Sequence, residues 1–301
     1  MYLTIFTPTY NRAYTLQRLY ESLISQTSYD FEWIIVDDAS QDNTYEIVKK
    51  FKNDKFKVHY YLQKHGGKHR AINYALDQAK GDYFFIVDSD DFLLPTSVEN
   101  IISWIEKLPN NNEFCGVSGM RIFSSGEIIG SLPDSMLKGC TYIDASNLER
   151  EKLGLGGDKA EVYKTSILKT HRFPDFDGEY FITEACVWDA IAAEGYKIRW
   201  YKTPIYVCEY LVDGLTKTGA NDLDGSITNF KGYIYYVKQY LKLHERVECY
   251  RKFIEFNKVC RKKGISIRKR YALVEMPLML YWQYFIQSMM YRIIKRIGKA
   301  E

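Results

Sequence analysis

Ordinary cysteine chemistry is missing from this chain. Its six cysteines, Cys115, Cys140, Cys186, Cys208, Cys249 and Cys260, form no C-x-x-C pair and keep no regular spacing. That pattern excludes a disulfide framework and a thiolate metal site, and it suits reduced core residues of a cytoplasmic protein. No basic and apolar leader comes before the first β-rich run, because Met1-Tyr2-Leu3-Thr4 enters it directly, so a secretory signal is not expected. Repeats and low-complexity linkers are absent as well. A composition 46% hydrophobic and 26% charged excludes general disorder. The 301 residues suffice for one large domain or a domain plus an extension.

What the chain does have is an uneven charge and 26 tyrosines, the latter suited to sugar or membrane-interface contacts. From 251 to 301 there are thirteen Lys and Arg against three Glu, whereas the first 250 residues are net acidic. Such a tail points toward an anionic partner.

Along the first hundred residues, strands and helices alternate. Tyr2 to Phe6 reads as a strand ended by Pro8, followed by a helix from Thr15 to Ser25 with Leu16, Leu19, Tyr20, Leu23 and Ile24 at helical spacing. Phe31 to Val36, Phe56 to Leu62 and Phe84 to Val87 read as further strands. Helices are expected from Thr44 to Phe51, capped by Asp42, and from Ala71 to Ala79, ended by Gly81. This alternation predicts an α/β fold built on a mostly parallel sheet. Beyond Asp91 a helix from Ser97 to Leu108 is expected, then a strand pair at Cys115 to Phe123 and Glu127 to Gly130. A strand entering a short helix follows at Glu161 to Leu168, then a helix from Thr183 to Glu194 and strands at Lys197 to Tyr201 and Ile205 to Tyr210. From Ser226 onward the pattern is helical.

Each polar cluster in the first hundred residues falls just after a strand: Thr7 to Arg12, Asp37-Asp38, Lys64 to Arg70, and Asp88-Ser89-Asp90-Asp91. In a parallel sheet such places converge along one edge, where ligands bind. Asp88 and Asp90 lie two apart, on one side of an extended backbone, and paired like charges call for a hard cation, Mg2+ or Mn2+. Lys64, Lys68 and Arg70 supply positive charge for phosphate, Gly66 and Gly67 allow close backbone approach, and Asp37 is placed to bond a base or ribose edge. Singly, each loop is ordinary turn chemistry. Together they describe a nucleotide-diphosphate site with a metal.

Thr7-Pro8-Thr9-Tyr10-Asn11-Arg12, Val36-Asp37-Asp38-Ala39-Ser40, Gly66-Gly67-Lys68 and Asp88-Ser89-Asp90 resemble the motifs of family 2 inverting glycosyltransferases of the bacterial polysaccharide-biosynthesis type. The resemblance covers about the first 215 residues. It implies a GT-A fold, a Rossmann-like mostly parallel sheet with helices on both faces, here with a C-terminal helical extension. Residues 1–235 would form the transferase domain, with a nucleotide-binding half at 1–95 and an acceptor half at 96–235, and 236–301 the extension. By resemblance, Thr7, Pro8, Tyr10 and Arg12 line the nucleotide, Asp37 binds a uracil-like base with Lys68 near it, and Lys64 and Gly67 belong to the same donor site. Asp88 and Ser89 approach the ribose, and Asp90 holds the divalent metal, Mn2+ or Mg2+, on the diphosphate of a UDP-sugar. Such enzymes carry Glu-Asp at a helix start, with the Asp as general base eleven residues before a helix-ending Gly. Counting back from Gly195 places Glu184 at the base position and Thr183 where the Glu stands, a departure in identity that keeps a carboxylate. Asp189 is the alternative base, and Glu179 a weaker candidate that contacts the acceptor. The family's His after the next strand is missing from Val207-Cys208-Glu209-Tyr210, leaving Glu209 as a substitute. Asp213 to Gly219, with Lys217, reads as a loop that closes over the diphosphate.

Tyr271 to Tyr291 carries one charge, Glu275, between Arg268-Lys269-Arg270 and Arg292, Lys295 and Arg296. Pro277, Gln283 and Gln287 argue against a span. An interfacial helix on anionic lipid and an ordinary packed helical subdomain both remain open. The expected function is transfer of a sugar from a nucleotide-sugar to a surface glycan or lipid-linked saccharide, in the cytoplasm or on the inner face of the membrane. Nucleic acid is not an expected partner, and an oligomer is compatible. The alternatives are a non-catalytic nucleotide-sugar-binding scaffold and a sugar-nucleotide pyrophosphorylase, which needs a glycine-rich loop that Thr7-Pro8-Thr9-Tyr10 lacks.

Overall fold

The computed structural model describes residues 3–209 and 223–297. Nine strands form one sheet: β1 (Leu3–Thr9), β2 (Phe31–Asp37), β3 (Lys57–Leu62), β4 (Tyr83–Ile86), β5 (Phe92–Leu93), β6 (Phe114–Phe123), β7 (Tyr142–Ala145), β8 (Lys159–Lys164) and β9 (Lys197–Cys208). Their order is β3-β2-β1-β4-β8-β6-β9-β5, with β7 paired to β9. The half that carries the first four polar clusters, β3-β2-β1-β4, is parallel throughout. Beyond β4 the sheet is mixed, with β8 antiparallel to both its neighbours and β6 parallel to β9.

Helices cover both faces. Leu16, Leu19 and Leu23 of α1 (Ala13–Ile24), Val48 of α2 (Thr44–Val48) and Val98, Ile101, Trp104 and Ile105 of α4 (Ser97–Glu106) pack with Ile5, Trp33, Ile35 and Phe85 on one side. On the other side, α3 (Lys68–Gln78), α6 (Thr165–Thr170) and α7 (Ala185–Ala193) pack with Phe6, Ile34, Val36, Phe84 and Ile86. Adjacent residues of one strand thus feed opposite cores, as a strand buried on both faces requires. A short α5 (Asp134–Leu137) lies between β6 and β7. A third core joins α9 (Phe230–Leu243), α10 (Arg246–Lys262), α11 (Ile267–Val274) and α12 (Leu278–Ile297), preceded by α8 (Leu223–Thr228).

Several local expectations change. Pro8 does not end β1, which pairs with β2 through Thr9 and Asp37. Phe6 bonds toward β4 and Thr9 toward β2, so by alternation the Pro8 nitrogen faces the β4 side. Pairing with β4 has finished there, and no ladder bond is lost. The helix expected from Ala71 starts a turn earlier, at Lys68. Gly81 lies beyond that helix rather than ending it: a Cβ there would sit 2.4 Å from the Thr4 backbone nitrogen. The two strands expected between Lys197 and Tyr210 are one, β9, whose register with β6 shifts around Ser118 and Met120. Glu127 to Gly130 makes only a bridge at Ile128 with Ile122.

The C-terminal helices are tied to α7 by a buried charge. His244 places Nε2 2.8 Å from Asp189 Oδ2 and Nδ1 3.2 Å from Glu248 Oε2, and Asn147 donates to Asp189 Oδ1. Burial pushes the His244 pKa down, but the two carboxylates outweigh it and raise it above the ordinary value. A raised histidine contributes stability that is whole below its unfolded pKa, about 6.5, and is lost as pH rises through the folded value. His244→Gln, which keeps a donor without the charge, should therefore cost on the order of 1 kcal/mol at pH 6. The cost should shrink progressively above that, as read from paired thermal unfolding curves at pH 6 and pH 8.5.

Candidate active site

The site forms where β4 runs out. Val87 still bonds Phe6, its N–H donating to the carbonyl at 2.8 Å; the chain then turns, and Asp88, Asp90 and Asp91 crowd its end. Tyr206 of β9 fixes this turn, accepting from the Asp88 N–H at 2.9 Å and donating to Asp91 Oδ2 at 2.8 Å. Asp91 is buried and also accepts from the Glu209 N–H. Arg18 of α1 donates to the Asp90 carbonyl at 2.6 Å and pairs with Glu209.

One lysine bridges the two halves of the sheet. Lys68, in the first turn of α3, puts Nζ 2.6 Å from Asp88 Oδ1 and 2.7 Å from Glu184 Oε1. Glu184 is the N-cap residue of α7, so a carboxylate from a late helix comes within one ammonium of the β4 tip. The charges settle accordingly. Burial works to raise Asp88, but Lys68 and Arg121 hold its carboxyl below the usual range. Asp90 is raised by burial and by Asp88. Asp91 is pushed up to about 7 by burial, Asp88 and Asp90. The Asp90 carboxylate has no side-chain hydrogen bond or ion pair among the described residues, and only its own backbone N–H and the charges of Arg12 and Lys68 act to lower it. A carboxylate left over in a crowded acidic site is one a cation would stabilise.

The Gly66-Gly67 loop is built by Asp38. Its carboxylate accepts from the Gly66 N–H at 2.7 Å and the Gly67 N–H at 2.8 Å, and also contacts Gln63 and His65. Gly67 has φ +90° and a Cβ there would lie 1.9 Å from the Tyr180 carbonyl oxygen, so only glycine fits. The His65 ring stacks between Tyr10, at a centroid distance of 4.5 Å, and Tyr180, at 4.8 Å.

The expected site residues divide. Tyr10, Gly67, Lys68, Asp88, Asp90 and Glu184 line this edge, Ser89 is buried between the two aspartates, and Arg12 lies close enough to Asp90 to act on its charge. Pro8 sits in β1, and Lys64 is exposed with no ion pair among the described residues. The Thr7 hydroxyl accepts from Trp33 Nε1 in the core. Asp37 is 1% exposed, accepting from the Ser40 N–H and the Tyr60 hydroxyl. Arg70 is absorbed by Asp175 and by the Gly66, Phe176 and Glu179 carbonyls. Asp189 is committed to His244 and Asn147 and is not beside Lys68. Glu179 caps α9, accepting from Lys231 N–H and Gly232 N–H. Asp213 to Gly219 lie outside the described residues. Sequence reasoning missed Arg121, Tyr206 and the role of Asp38; a lone arginine inside the apolar run of β6 was the available signal for the first.

Residues 4–124 match the family described as Glycosyl transferase family 2. Over those residues the chain carries a family 2 glycosyltransferase domain. Over 189 residues the chain is 27% identical to the GalNAc(5)-diNAcBac-PP-undecaprenol beta-1,3-glucosyltransferase of Campylobacter jejuni, covering 62% of this chain and 58% of that enzyme. It is 34% identical over 110 residues to the poly(ribitol-phosphate) beta-N-acetylglucosaminyltransferase TarS of Staphylococcus aureus, covering 36% of this chain and 19% of TarS. The chain thus spans less than two thirds of either curated relative. The structure of TarS 1-349 in complex with UDP-GlcNAc superposes with a TM-score of 0.59 at 21% identity, over 96% of this chain and 81% of that one. The mannosyltransferase PcManGT of Pyrobaculum calidifontis, in complex with GDP-Man and Mn2+, gives 0.56 at 17% identity, over 96% and 83%. These neighbours are GT-A glycosyltransferases, and the glycosyltransferase domain here has their architecture. No helix of the described residues is long and apolar enough to cross a membrane.

Removing the bridge should be felt in stability. Lys68→Met leaves Asp88 and Glu184 facing each other without a cation, which we expect to cost about 1–2 kcal/mol at pH 7, discounted for partial exposure. A depressed carboxyl contributes stability present above its unfolded pKa, about 3.9, and lost as pH falls through its folded value. The gap between Lys68→Met and the parent chain in urea midpoint should therefore hold from pH 7 to about 5 and narrow as pH is lowered below about 4.

Proposed function

We propose that this chain moves a sugar from a nucleotide-sugar, a UDP-sugar, onto a hydroxyl of a growing surface glycan or lipid-linked saccharide, with inversion. The observation that carries the reading is the Lys68 bridge, which seats Glu184 beside the acidic tip of β4 although 94 residues of chain separate Asp90 from it. A helix-start carboxylate facing an acidic strand end across a single cation is the pairing that a base and a donor site require.

In this reading the acceptor hydroxyl lies against Glu184, which takes its proton as the oxygen attacks the anomeric carbon. The bond from that carbon to the diphosphate breaks on the opposite face, and its electron pair leaves with the nucleotide. A single displacement inverts the centre. Tyr10, Arg12, Gly67, Asp88 and Ser89 bind the donor, with Pro8 and the Thr7 backbone beneath it, Asp37 at the base end and Lys64 at the rim. Lys68 orients both Asp88 and Glu184. No group of three metal-ligating side chains occurs among the described residues, but Mg2+ and Mn2+ sites on nucleotides use one or two carboxylates together with substrate phosphates. Asp90, which has no side-chain partner among the described residues, fits that requirement. When bound, the ion offsets charge on the departing diphosphate.

A cavity on the Glu184 side of the fold supports an acceptor site in this reading. A cavity of about 560 Å³ lies between Phe181-Ile182-Thr183, which lead into Glu184, and the helices α8, α9 and α10. Tyr233, Tyr236, Lys252 and Glu255 contribute to its lining, a mixture of ring faces and hydrogen-bonding groups that suits a saccharide.

Incubation with UDP-sugars and Mn2+ should release UDP when an acceptor glycan is supplied. Asp90→Ala and Glu184→Gln should each lower turnover by about 10²-fold or more. Donor binding without turnover across donors and acceptors would instead establish a binding scaffold.

A further inference from the structure

The helix α12 is apolar on two sides. Tyr281 and Tyr284 are buried in the third core, with Leu280 and Phe285 packed against it. Leu278, Met279, Trp282, Ile286 and Met290 face outward, with Met279 85% and Trp282 44% exposed. At 3.6 residues per turn those five positions fall within an arc of about 120°, so they form one continuous stripe rather than scattered exceptions. No charged residue occurs between Met276 and Tyr291 to interrupt it. A solvent-facing helix surface ordinarily carries charge, and a contiguous exposed apolar stripe marks an interaction face.

The charge of the segment that carries the stripe points to what covers it. The segment from 251 to 301 holds thirteen Lys and Arg against three Glu. Arg268 and Lys269 are exposed at the start of α11, next to Ile267, itself exposed. Two copies of this chain meeting through α12 would bring like charges together, whereas an anionic lipid surface is attracted by each basic residue. An apolar helix face of Leu, Met, Ile and Trp in a segment bracketed in sequence by Lys and Arg is what an in-plane helix at the headgroup boundary presents. We infer that α12 docks the protein on an anionic membrane surface, with Leu278, Met279, Trp282, Ile286 and Met290 entering the interface. This inference stands independently of the transferase reading.

The test is co-sedimentation of the full chain with vesicles of phosphatidylglycerol and phosphatidylcholine, against vesicles of phosphatidylcholine alone. Binding is expected only to the anionic vesicles and should fall with added salt. Trp282→Ser with Ile286→Ser, both exposed positions, should weaken it by on the order of tenfold or more. Arg268→Glu with Lys269→Glu should weaken it by at least about fivefold for each charge removed. Thermal unfolding of each variant checks that the fold is intact. The inference is overturned if the anionic vesicles bind no protein or if binding is indifferent to the α12 substitutions. It is overturned equally if the chain is a dimer in solution that those substitutions dissociate, which would assign the stripe to a second copy.

Discussion

The structure depends on the cost of gathering carboxylates at one strand end. Asp88, Asp90 and Asp91 leave β4 within four residues, and each raises the free energy of charging the next. The fold answers with a graded set of partners. Lys68 takes Asp88 outright, Arg121 adds charge from beneath, and Tyr206 with the Glu209 N–H holds Asp91. Among the described residues, Asp90 is the one of the three whose carboxylate has no side-chain partner. Among the described residues the acidic tip thus carries more carboxylate than its side-chain partners neutralise, with only the charges of Arg12 and Lys68 acting on Asp90 from a distance.

The same lysine gives the site its span. The parallel half of the sheet supplies Asp88 and α3, whereas Glu184 belongs to a helix that follows the mixed half. Neither half contains the pairing by itself. What brings α7 into register is apolar: Trp188 stacks on Tyr163 of β8 at 4.3 Å, and Val187 and Ile191 share a core with Phe84 and Ile86. Hydrophobic burial fixes the distance, and charge then finds its partner at that distance.

Much of this was legible in the chain. The parallel half of the sheet followed from buried strands alternating with amphipathic helices, and the acidic tip from three aspartates after Val87. Glu184 was legible only through resemblance, by its distance from Gly195. The rest was hidden for identifiable reasons. Asp37 and Asp38 are adjacent, and which one turns inward to the Gly66 and Gly67 amides depends on backbone torsion that composition does not encode. Arg70 reads as a free cation, yet Asp175 lies 105 residues away and consumes it. Glu179 looks like a site carboxylate until the start of α9 arrives beneath it. Asp189, a turn past Glu184, is taken by His244, a partner from beyond the next strand. In each case a long-range contact decided the fate of a polar side chain, and a local reading has no access to such contacts.

The close approach of Gly67 to the Tyr180 carbonyl has a consequence for engineering. The loop that begins α3 and the segment that leads toward Glu184 touch through bare backbone, with no side chain between them to act as a spacer. Exchanging residues 175–183 for those of a relative would transmit any shift in main-chain path straight into the Gly66-Gly67 loop. The cavity beside Phe181-Ile182-Thr183 is therefore better reshaped by changing side chains on α9 and α10, whose replacement leaves that backbone contact untouched.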